Sequence, residues 1–249
     1  MIESNERASN KIYDPLASTY GRSYTTYFIT SLEHDLLQRF TRSTDVCLDV
    51  GIANGLIAIP LSYQVREVYG VDISPKMLDE CECRLAKENV KNIKVFERSA
   101  KDLLFPDDTF DVVYSYATLI LVPEPEKAYR EIARVLKPGG YAIIDITGKY
   151  NLSRIFWARY YRKNGFWGIN YHSLSEIRAI FQSLRFEIQE THALGFTDQW
   201  KYIPALRLLT VLNRLFHATT NIPDLDYRLS QKFAGLANRW FFVLQKPIA

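Results

Sequence analysis

Residues 46–55 read VCLDVGIANG, and the order of residue types in this stretch decides the fold class. A short apolar run typical of a buried strand ends in a turn of small residues, which lets a ligand approach the main chain in open α/β folds. A dinucleotide-binding turn has the pattern G-x-G-x-x-G, but Gly51, Ala53 and Gly55 give only G-x-A-x-G. Asp49 places a negative charge beside the turn, where it would repel a phosphate. The stretch therefore predicts a ligand that has no phosphate and carries positive charge.

Short apolar runs alternate with helix-like segments from residue 45 to residue 148. The runs lack strict apolar–polar alternation, as expected for parallel strands that are buried on both faces. They are 46–50, 68–72, 93–97, 111–115 and 141–147, and strands at 186–192 and 239–247 follow. The predicted helices are 74–89, with Ser74 as N-cap and Pro75 in the first turn, 125–136 and 173–184. The pattern predicts the α/β class with a doubly wound, mostly parallel, seven-stranded sheet.

Three segments fall outside the predicted sheet. We expect one domain over residues 1–249, in which residues 1–44 form an N-terminal helical lid and residues 148–172 and 193–238 form cap insertions. Ligands in open α/β sheets bind beyond the carboxyl ends of the strands. Because the first insertion follows the end of a strand, we expect it on the ligand side of the sheet.

The cap insertions are rich in aromatic and basic residues. Residues 148–171 hold eight aromatic residues and five lysines or arginines but no acid, and residues 201–217 also lack acids. This composition suits a pocket for an aromatic, anionic or lipid-like molecule, and a basic amphipathic helix also suits contact with an anionic membrane surface. A cap that packs its aromatic side chains on the sheet and exposes its basic side chains to water explains the composition equally well.

Composition and charge argue against several other classes. The 249 residues are 47% hydrophobic and carry a net charge of +3, which is too weak a positive charge to indicate nucleic-acid binding. Three cysteines, Cys47, Cys81 and Cys83, form neither a disulfide framework nor a metal-ligand spacing, and this favours a reducing compartment. The polar N-terminus and the lack of an apolar run of about 18 residues predict a soluble, cytoplasmic protein.

Four motifs in order resemble those of the class I S-adenosylmethionine-dependent methyltransferases, in particular the type 11 and type 25 groups that act on small molecules. They are LDVGIANG (48–55), VYGVDISPKML (68–78), RSAKDLLFPDDTFDVVYS (98–115) and REIARVLKPGGYAII (130–144). The resemblance, which covers residues 12–148, implies a Rossmann-like methyltransferase fold, S-adenosyl-L-methionine as cofactor, and methyl transfer to a small-molecule acceptor. The sequence leaves two alternatives open, an RNA methyltransferase and an inactive cofactor-binding module that regulates a partner.

The resemblance also implies roles for individual residues. Asp49 would face the methionine end of the cofactor, which Tyr20 would also reach, and Asp72 would bind the two ribose hydroxyls. The turn would bring the main chain close to the ligand through Gly51, Ile52, Ala53, Asn54 and Gly55. The adenine would contact Ile73, Met77, Ser99 and Ala100, and the methyl donor would lie beside Ser115 and Tyr116.

The sequence narrows the chemistry of transfer but assigns no general base. SYATL (115–119) stands where enzymes that methylate base amines have an Asn/Asp-Pro-Pro-aromatic loop, and neither a cysteine nucleophile nor a metal-ligand cluster accompanies the motifs. Direct in-line transfer, in which positioning supplies most of the catalysis, is the chemistry left. The candidate bases are His172, Tyr116, Tyr171 and His192, and ordinary packing or capping also explains each of them.

Overall fold

A computed structural model describes residues 6–20, 27–163, 169–203 and 225–248. A seven-stranded sheet forms its centre, with the strand order β3-β2-β1-β4-β5-β7-β6. The strands are β1 Val46–Val50, β2 Glu67–Asp72, β3 Ile93–Glu97, β4 Phe110–Ser115, β5 Leu136–Thr147, β6 Glu187–Leu194 and β7 Arg239–Gln245. Neighbours among β1 to β5 pair in parallel, whereas β7 is antiparallel to both β5 and β6. The predicted α/β class and mostly parallel sheet are confirmed.

The helices of the described ranges flank this sheet. They are α1 Asn10–Tyr13, α2 Tyr27–Phe40, α3 Ala58–Ser62, α4 Pro75–Lys87, α5 Pro125–Val135, α6 Ser153–Lys163, α7 Leu174–Ser183 and α8 Leu225–Lys232. The hydroxyl of Ser74 accepts a hydrogen bond from the N–H of Met77 at 3.1 Å, so the N-cap of α4 is the predicted one. Ser173 and Glu176 form a capping box at the start of α7. None of these helices is both long and apolar enough to cross a membrane.

The sheet is buried on both faces, which explains why its strands lack strict alternation. All five residues of β1 are buried. Leu48 belongs to an apolar cluster that includes residues of α5 and α7, and Cys47 belongs to a second cluster with residues of α2, α3 and α4. Successive residues of a strand point to opposite faces, so an apolar layer on each face requires apolar residues at consecutive positions.

The N-terminal segment lies across the carboxyl ends of β1 and β2. Asn54, in the turn after β1, donates hydrogen bonds to the carbonyl oxygens of Ala17 (3.0 Å) and Tyr20 (3.1 Å). Ser74, just after β2, donates to the carboxylate of Asp14 at 2.6 Å. Residues 6–20 are thereby held over the edge of the sheet at which the sequence motifs end.

The first cap insertion approaches the same edge. The hydroxyl groups of Tyr161 in α6 and of Tyr13 lie 2.7 Å apart. The main-chain N–H of Asn170 donates to the carbonyl oxygen of Ile120, in the loop after β4, at 2.8 Å. These contacts connect the insertion to the N-terminal segment and to the loop after β4.

The two cap insertions also contact each other through Asn151. Its amide donates to the carbonyl oxygens of Gly195 (3.1 Å) and Leu236 (2.9 Å). Residues 204–217, which make up most of the acid-free stretch 201–217, lie outside the described residues. The division of the chain into one lid and two caps stays a prediction.

Candidate active site

Two adjoining cavities open at the carboxyl ends of β1, β2 and β4. The first, here called the β1–β2 cleft, has a volume of about 760 Å³, and the second, the β1–β4 pocket, has about 510 Å³, where both volumes count the space that is open to solvent. Both are lined by Tyr20, Gly51, Ala53 and Ala117, so they adjoin, and together they are here called the groove. The β1–β2 cleft extends along Asp72, Ile73, Met77, Arg98 and Ala100. The β1–β4 pocket extends along Glu33, Asp49, Leu56, Ile57 and Tyr116.

Asp72 fixes the turn after β1 and faces the β1–β2 cleft. Its carboxylate accepts hydrogen bonds from the main-chain N–H groups of Ala53 and Ser74, both at 2.9 Å. Burial raises the pKa of Asp72, and these N–H groups partly offset the increase. A carboxylate offers about four lone-pair positions, so Asp72 can accept two further hydrogen bonds from a ligand in the cleft.

The turn after β1 depends on main-chain conformations that favour glycine. Gly51 has a φ of +91°, and a Cβ atom at this position would lie 2.0 Å from the hydroxyl oxygen of Thr118. Ala53 has a φ of +49° although it is not a glycine, and such a left-handed conformation costs an L residue about 1–2 kcal/mol. The turn therefore requires a glycine at position 51, where the Thr118 side chain takes the place of a Cβ atom, and holds a strained residue at Ala53.

Asp49 brings a carboxylate to the wall of the β1–β4 pocket. The residue is only 5% exposed. Burial raises the pKa of Asp49 well above its ordinary range; the Tyr114 hydroxyl opposes this increase, and the nearby carboxylates of Asp72 and Glu33 add to it. A cation in the pocket would favour the ionised carboxylate, because an opposite charge compensates for the lost hydration.

The loop after β4 is held by a chain of polar contacts that begins on β7. Arg239 Nε lies 3.1 Å from Asp145 Oδ2 on β5. The other oxygen of Asp145 accepts a hydrogen bond from the main-chain N–H of Ala117 at 2.8 Å. Ala117 lines both cavities and has a φ of +56°. These contacts stabilise a strained residue at the place where the cavities meet.

Most of the predicted cofactor residues line the groove. They are Tyr20, Asp49, Gly51, Ile52, Ala53, Asp72, Ile73, Met77, Ala100 and Tyr116. The structure brings these residues together from the N-terminal segment and from the ends of β1, β2, β3 and β4. Their individual roles toward the cofactor stay predictions.

Four predicted residues do not line the groove and support it instead. Asn54 binds the N-terminal segment, and a Cβ atom on Gly55 would lie 2.9 Å from the sulfur of Cys81. The hydroxyl of Ser99 accepts a hydrogen bond from the N–H of Lys101 at 3.0 Å. The buried hydroxyl of Ser115 donates to the carbonyl oxygen of Val50 at 2.7 Å. Asn54, Gly55, Ser99 and Ser115 are thus not among the residues that line the groove, and their roles toward the cofactor stay predictions.

His192 lies away from both cavities, on the edge strand β6. Its ring Nδ1 lies 2.9 Å from the Tyr227 hydroxyl, and its Nε2 lies 2.8 Å from the Glu190 carboxylate. These contacts tie β6 to α8 and occupy both ring nitrogens. His192 is thus placed away from the groove, and its role as a base stays a prediction.

Tyr171 and His172 precede α7 and line neither cavity. His172 Nε2 lies 3.4 Å from the Tyr129 hydroxyl, and burial lowers the pKa of the ring. Burial raises the pKa of Tyr171 to about 12, and the Arg154 guanidinium lies 5.7 Å from the centre of its ring. His172 thus contacts α5 and Tyr171 contacts α6, outside the groove, and a role of either as the base stays a prediction.

Tyr116 is the one candidate base that lines the groove. Burial raises its pKa well above the ordinary range, and the charges of Glu33 and Asp145 add to the increase. The hydroxyl therefore keeps its proton near neutral pH. It donates toward the carbonyl oxygen of Glu33 at 3.4 Å. Tyr116 can position a ligand in the pocket but is a poor proton acceptor.

Glu33 is a groove residue that the sequence motifs did not indicate. It lies on α2, is 3% exposed and lines the β1–β4 pocket. Burial raises the pKa of Glu33 to about 8, although Arg239 opposes the increase. One signal was present in the sequence: Leu36 and Leu37 follow Glu33 by three and four residues, so an acid lies within the apolar stripe of a helix.

Comparison with known proteins finds a methyltransferase domain in the part of the chain that supplies most of the groove residues. Residues 48–144 match the family model described as a methyltransferase domain. A phosphatidylethanolamine N-methyltransferase of Cereibacter sphaeroides is 36% identical over 98 residues, which cover 39% of this chain and 48% of that protein. A demethylmenaquinone methyltransferase of Geobacillus kaustophilus is 30% identical over 154 residues, which cover 57% of this chain and 64% of that protein. The chain thus spans less than two thirds of the length of either relative.

The fold is also that of a solved methyltransferase. The structure of Haemonchus contortus phosphoethanolamine N-methyltransferase 2 with S-adenosyl-L-methionine superposes with a TM-score of 0.70 at 24% identity, over 99% of this chain and 60% of that one. Residues 48–144 thus form a methyltransferase domain of the class I S-adenosylmethionine-dependent type. The predicted family, its Rossmann-like fold and its cofactor are therefore confirmed.

Proposed function

We propose that this protein transfers a methyl group from S-adenosyl-L-methionine to a small-molecule acceptor. The observation that carries the proposal is the pair of adjoining cavities, with Asp72 in the β1–β2 cleft and Asp49 in the β1–β4 pocket. A groove of this kind offers one environment for ribose hydroxyls and another for the cationic end of the same ligand.

The residues of the groove fit the cofactor part by part. Asp72 would accept hydrogen bonds from the ribose hydroxyls. Ile73, Met77 and Ala100 give an apolar surface on which an adenine ring can pack. Asp49 supplies negative charge toward the methionine end, where the cofactor carries a sulfonium and an ammonium.

The chain would promote transfer mainly by positioning. S-adenosyl-L-methionine supplies a methyl group on a positively charged sulfur, which makes that carbon electrophilic. The protein must hold the acceptor in line with this carbon and exclude water. Tyr20 closes the junction of the two cavities from the N-terminal segment, and Ala117 closes it from the loop after β4. The acceptor would enter the β1–β4 pocket, where Leu56 and Ile57 give it apolar surface.

The acceptor that the surface favours is lipid-like. Helix α6 carries four basic residues and no acid, and its Ile155 and Trp157 are 60% and 41% exposed. Exposed apolar side chains flanked by basic ones suit an anionic lipid surface. Tyr161 of the same helix meets Tyr13 of the cleft wall, so the helix is next to the groove. Similarity to a protein named phosphatidylethanolamine N-methyltransferase supports the same class of acceptor.

Cofactor binding and methyl transfer test the proposal in turn. Titration calorimetry should show binding of S-adenosylhomocysteine, and Asp72→Ala should weaken it about tenfold to hundredfold, since hydrogen bonds to a charged acceptor are lost. An unchanged affinity would remove the ribose assignment. Transfer of a labelled methyl group to phosphatidylethanolamine, phosphoethanolamine or demethylmenaquinone would identify the acceptor. Binding without transfer would favour an inactive module, and transfer to RNA would favour the RNA alternative.

Sedimentation with vesicles tests the role of α6. The protein should sediment with phosphatidylglycerol vesicles and not with phosphatidylcholine vesicles, and replacing Ile155 and Trp157 by serine should abolish this. Tyr63→Ser is a matched control, because Tyr63 is 69% exposed between α3 and β2, away from α6. Equal sedimentation of the wild type and the Ile155/Trp157 variant would contradict the lipid-surface proposal.

A further inference from the structure

Glu33 presents a buried carboxylate to the β1–β4 pocket. The residue is 3% exposed and shares the pocket wall with Asp49 and Tyr116. Within the described residues, no side chain or main-chain group donates a hydrogen bond to its carboxylate. Helix α2 also lies outside residues 48–144, the range that matches the methyltransferase family, so the family motifs assign Glu33 no role.

The titratable groups that face Glu33 are mostly acidic. Asp49 faces it from β1, Tyr116 from the loop after β4, and Asp145 and Arg239 from β5 and β7. Arg239 is paired with Asp145 at 3.1 Å. None of the described residues that line the pocket is a lysine or an arginine. Two carboxylates without a paired cation in a buried wall are costly unless a ligand brings positive charge or a proton neutralises them.

The position of the pocket relative to the β1–β2 cleft indicates which positively charged group of a ligand would enter the pocket. The two cavities share Tyr20, Gly51, Ala53 and Ala117, and Asp72 lies in the cleft beyond them. A cofactor whose ribose is bound by Asp72 would extend its amino-acid end past Gly51 into the pocket. This end carries a primary ammonium with three N–H donors, enough for two carboxylates.

We propose that Glu33, together with Asp49, binds the ammonium group at the amino-acid end of S-adenosyl-L-methionine. The inference rests on the proposed function, since it assumes that the groove holds this cofactor. It makes Glu33 a binding residue that comes from α2 and lines the pocket beside Tyr116.

Binding should release a proton from the protein. Burial keeps the pKa of Glu33 at about 8 in the ligand-free protein, so its carboxyl group is mostly protonated at pH 7. An ammonium beside the carboxyl group favours the ionised form and lowers its pKa. The proton therefore leaves Glu33 for the solvent as the cofactor binds.

Two ligands that differ in the amino-acid end test the assignment. S-adenosylhomocysteine contains the ammonium, whereas 5′-methylthioadenosine keeps adenine and ribose but has no amino-acid part. Titration calorimetry at pH 7 should show that Glu33→Gln lowers the affinity for S-adenosylhomocysteine about tenfold to hundredfold. The affinity for 5′-methylthioadenosine should stay within about twofold of that of the wild type. Asp35→Asn, an exposed acid on the same helix, should change neither.

Proton release gives a second readout. Titrations in buffers of different ionisation enthalpy should show that the wild type releases close to one proton more than Glu33→Gln on binding S-adenosylhomocysteine. Glu33→Asp, which keeps the charge on a shorter side chain, should recover part of the lost affinity. Thermal unfolding of each variant verifies that it is folded.

The outcomes separate this inference from the proposed function. If Glu33→Gln weakens both ligands equally, or leaves S-adenosylhomocysteine binding unchanged while methyl transfer is lost, Glu33 does not bind the ammonium. In the second case it faces the acceptor. If the wild type binds neither ligand, the proposed function itself fails, and the inference fails with it.

Discussion

Replacing Glu33 by glutamine is expected to change how the stability of the ligand-free protein depends on pH. In the unfolded chain the carboxyl group loses its proton near pH 4.5, whereas burial beside the β1–β4 pocket holds its pKa at about 8 in the folded protein. Between these values the folded protein keeps a proton that the unfolded chain has released, so raising the pH favours unfolding. A glutamine does not titrate, so the variant lacks this contribution.

The expected size follows from the separation of the two pKa values. Relative to Glu33→Gln, the free energy of unfolding of the wild type should fall by about 1.4 kcal/mol for each pH unit in this interval. The accumulated loss is roughly 1 kcal/mol at pH 5 and roughly 4 kcal/mol at pH 8. Urea unfolding followed by circular dichroism at pH 5, 6, 7 and 8 measures it, with Asp35→Asn as the control. A difference that stays constant from pH 5 to pH 8 would refute the reasoning.

Three further predictions concern the groove and its surroundings. Gly51→Ala should abolish binding of S-adenosylhomocysteine in titration calorimetry, because the added Cβ would overlap Thr118; normal affinity would show that the turn can relax. His192→Gln should keep wild-type methyl transfer but reduce stability by about 1–2 kcal/mol in thermal unfolding, since the ring ties β6 to α8. Lost transfer with unchanged stability would contradict this. Deletion of residues 1–25 should preserve the circular dichroism of the sheet and sharply reduce turnover, because Tyr20 leaves the groove wall; full turnover would contradict it.

Features that depend on neighbouring residues could be predicted from the sequence. The cap of α4 needs only Ser74, Pro75 and the N–H of Met77, all within one turn of helix. The end of β1 and its turn follow in the same way, because a buried strand and a run of small residues are both local patterns. Asp72 could be predicted because the resemblance to the methyltransferase motifs places it at the end of the second strand, at the edge of the sheet where ligands bind.

Features that depend on packing between distant segments could not be predicted. Ser115 donates to Val50, which is 65 residues away, and Asn54 donates to Tyr20, which is 34 residues away. Their motif positions gave no information on where these side chains point. Glu33 belongs to the groove only because α2 packs on the face of the sheet beside β1 and β5, and helical periodicity does not specify a docking position.

The contacts from Arg239 through Asp145 to Ala117 have a consequence for what counts as the minimal binding unit. The residues predicted to bind the cofactor lie before residue 148, yet the main chain between the two cavities is supported by a carboxylate whose counter-ion is on the last strand. A fragment that stops after β5 would contain every motif and would leave Asp145 as a buried charge without its arginine, which is strongly destabilising. Transplanting the motif region alone would therefore give a sheet with a collapsed groove, and any functional excision from this chain has to include β7.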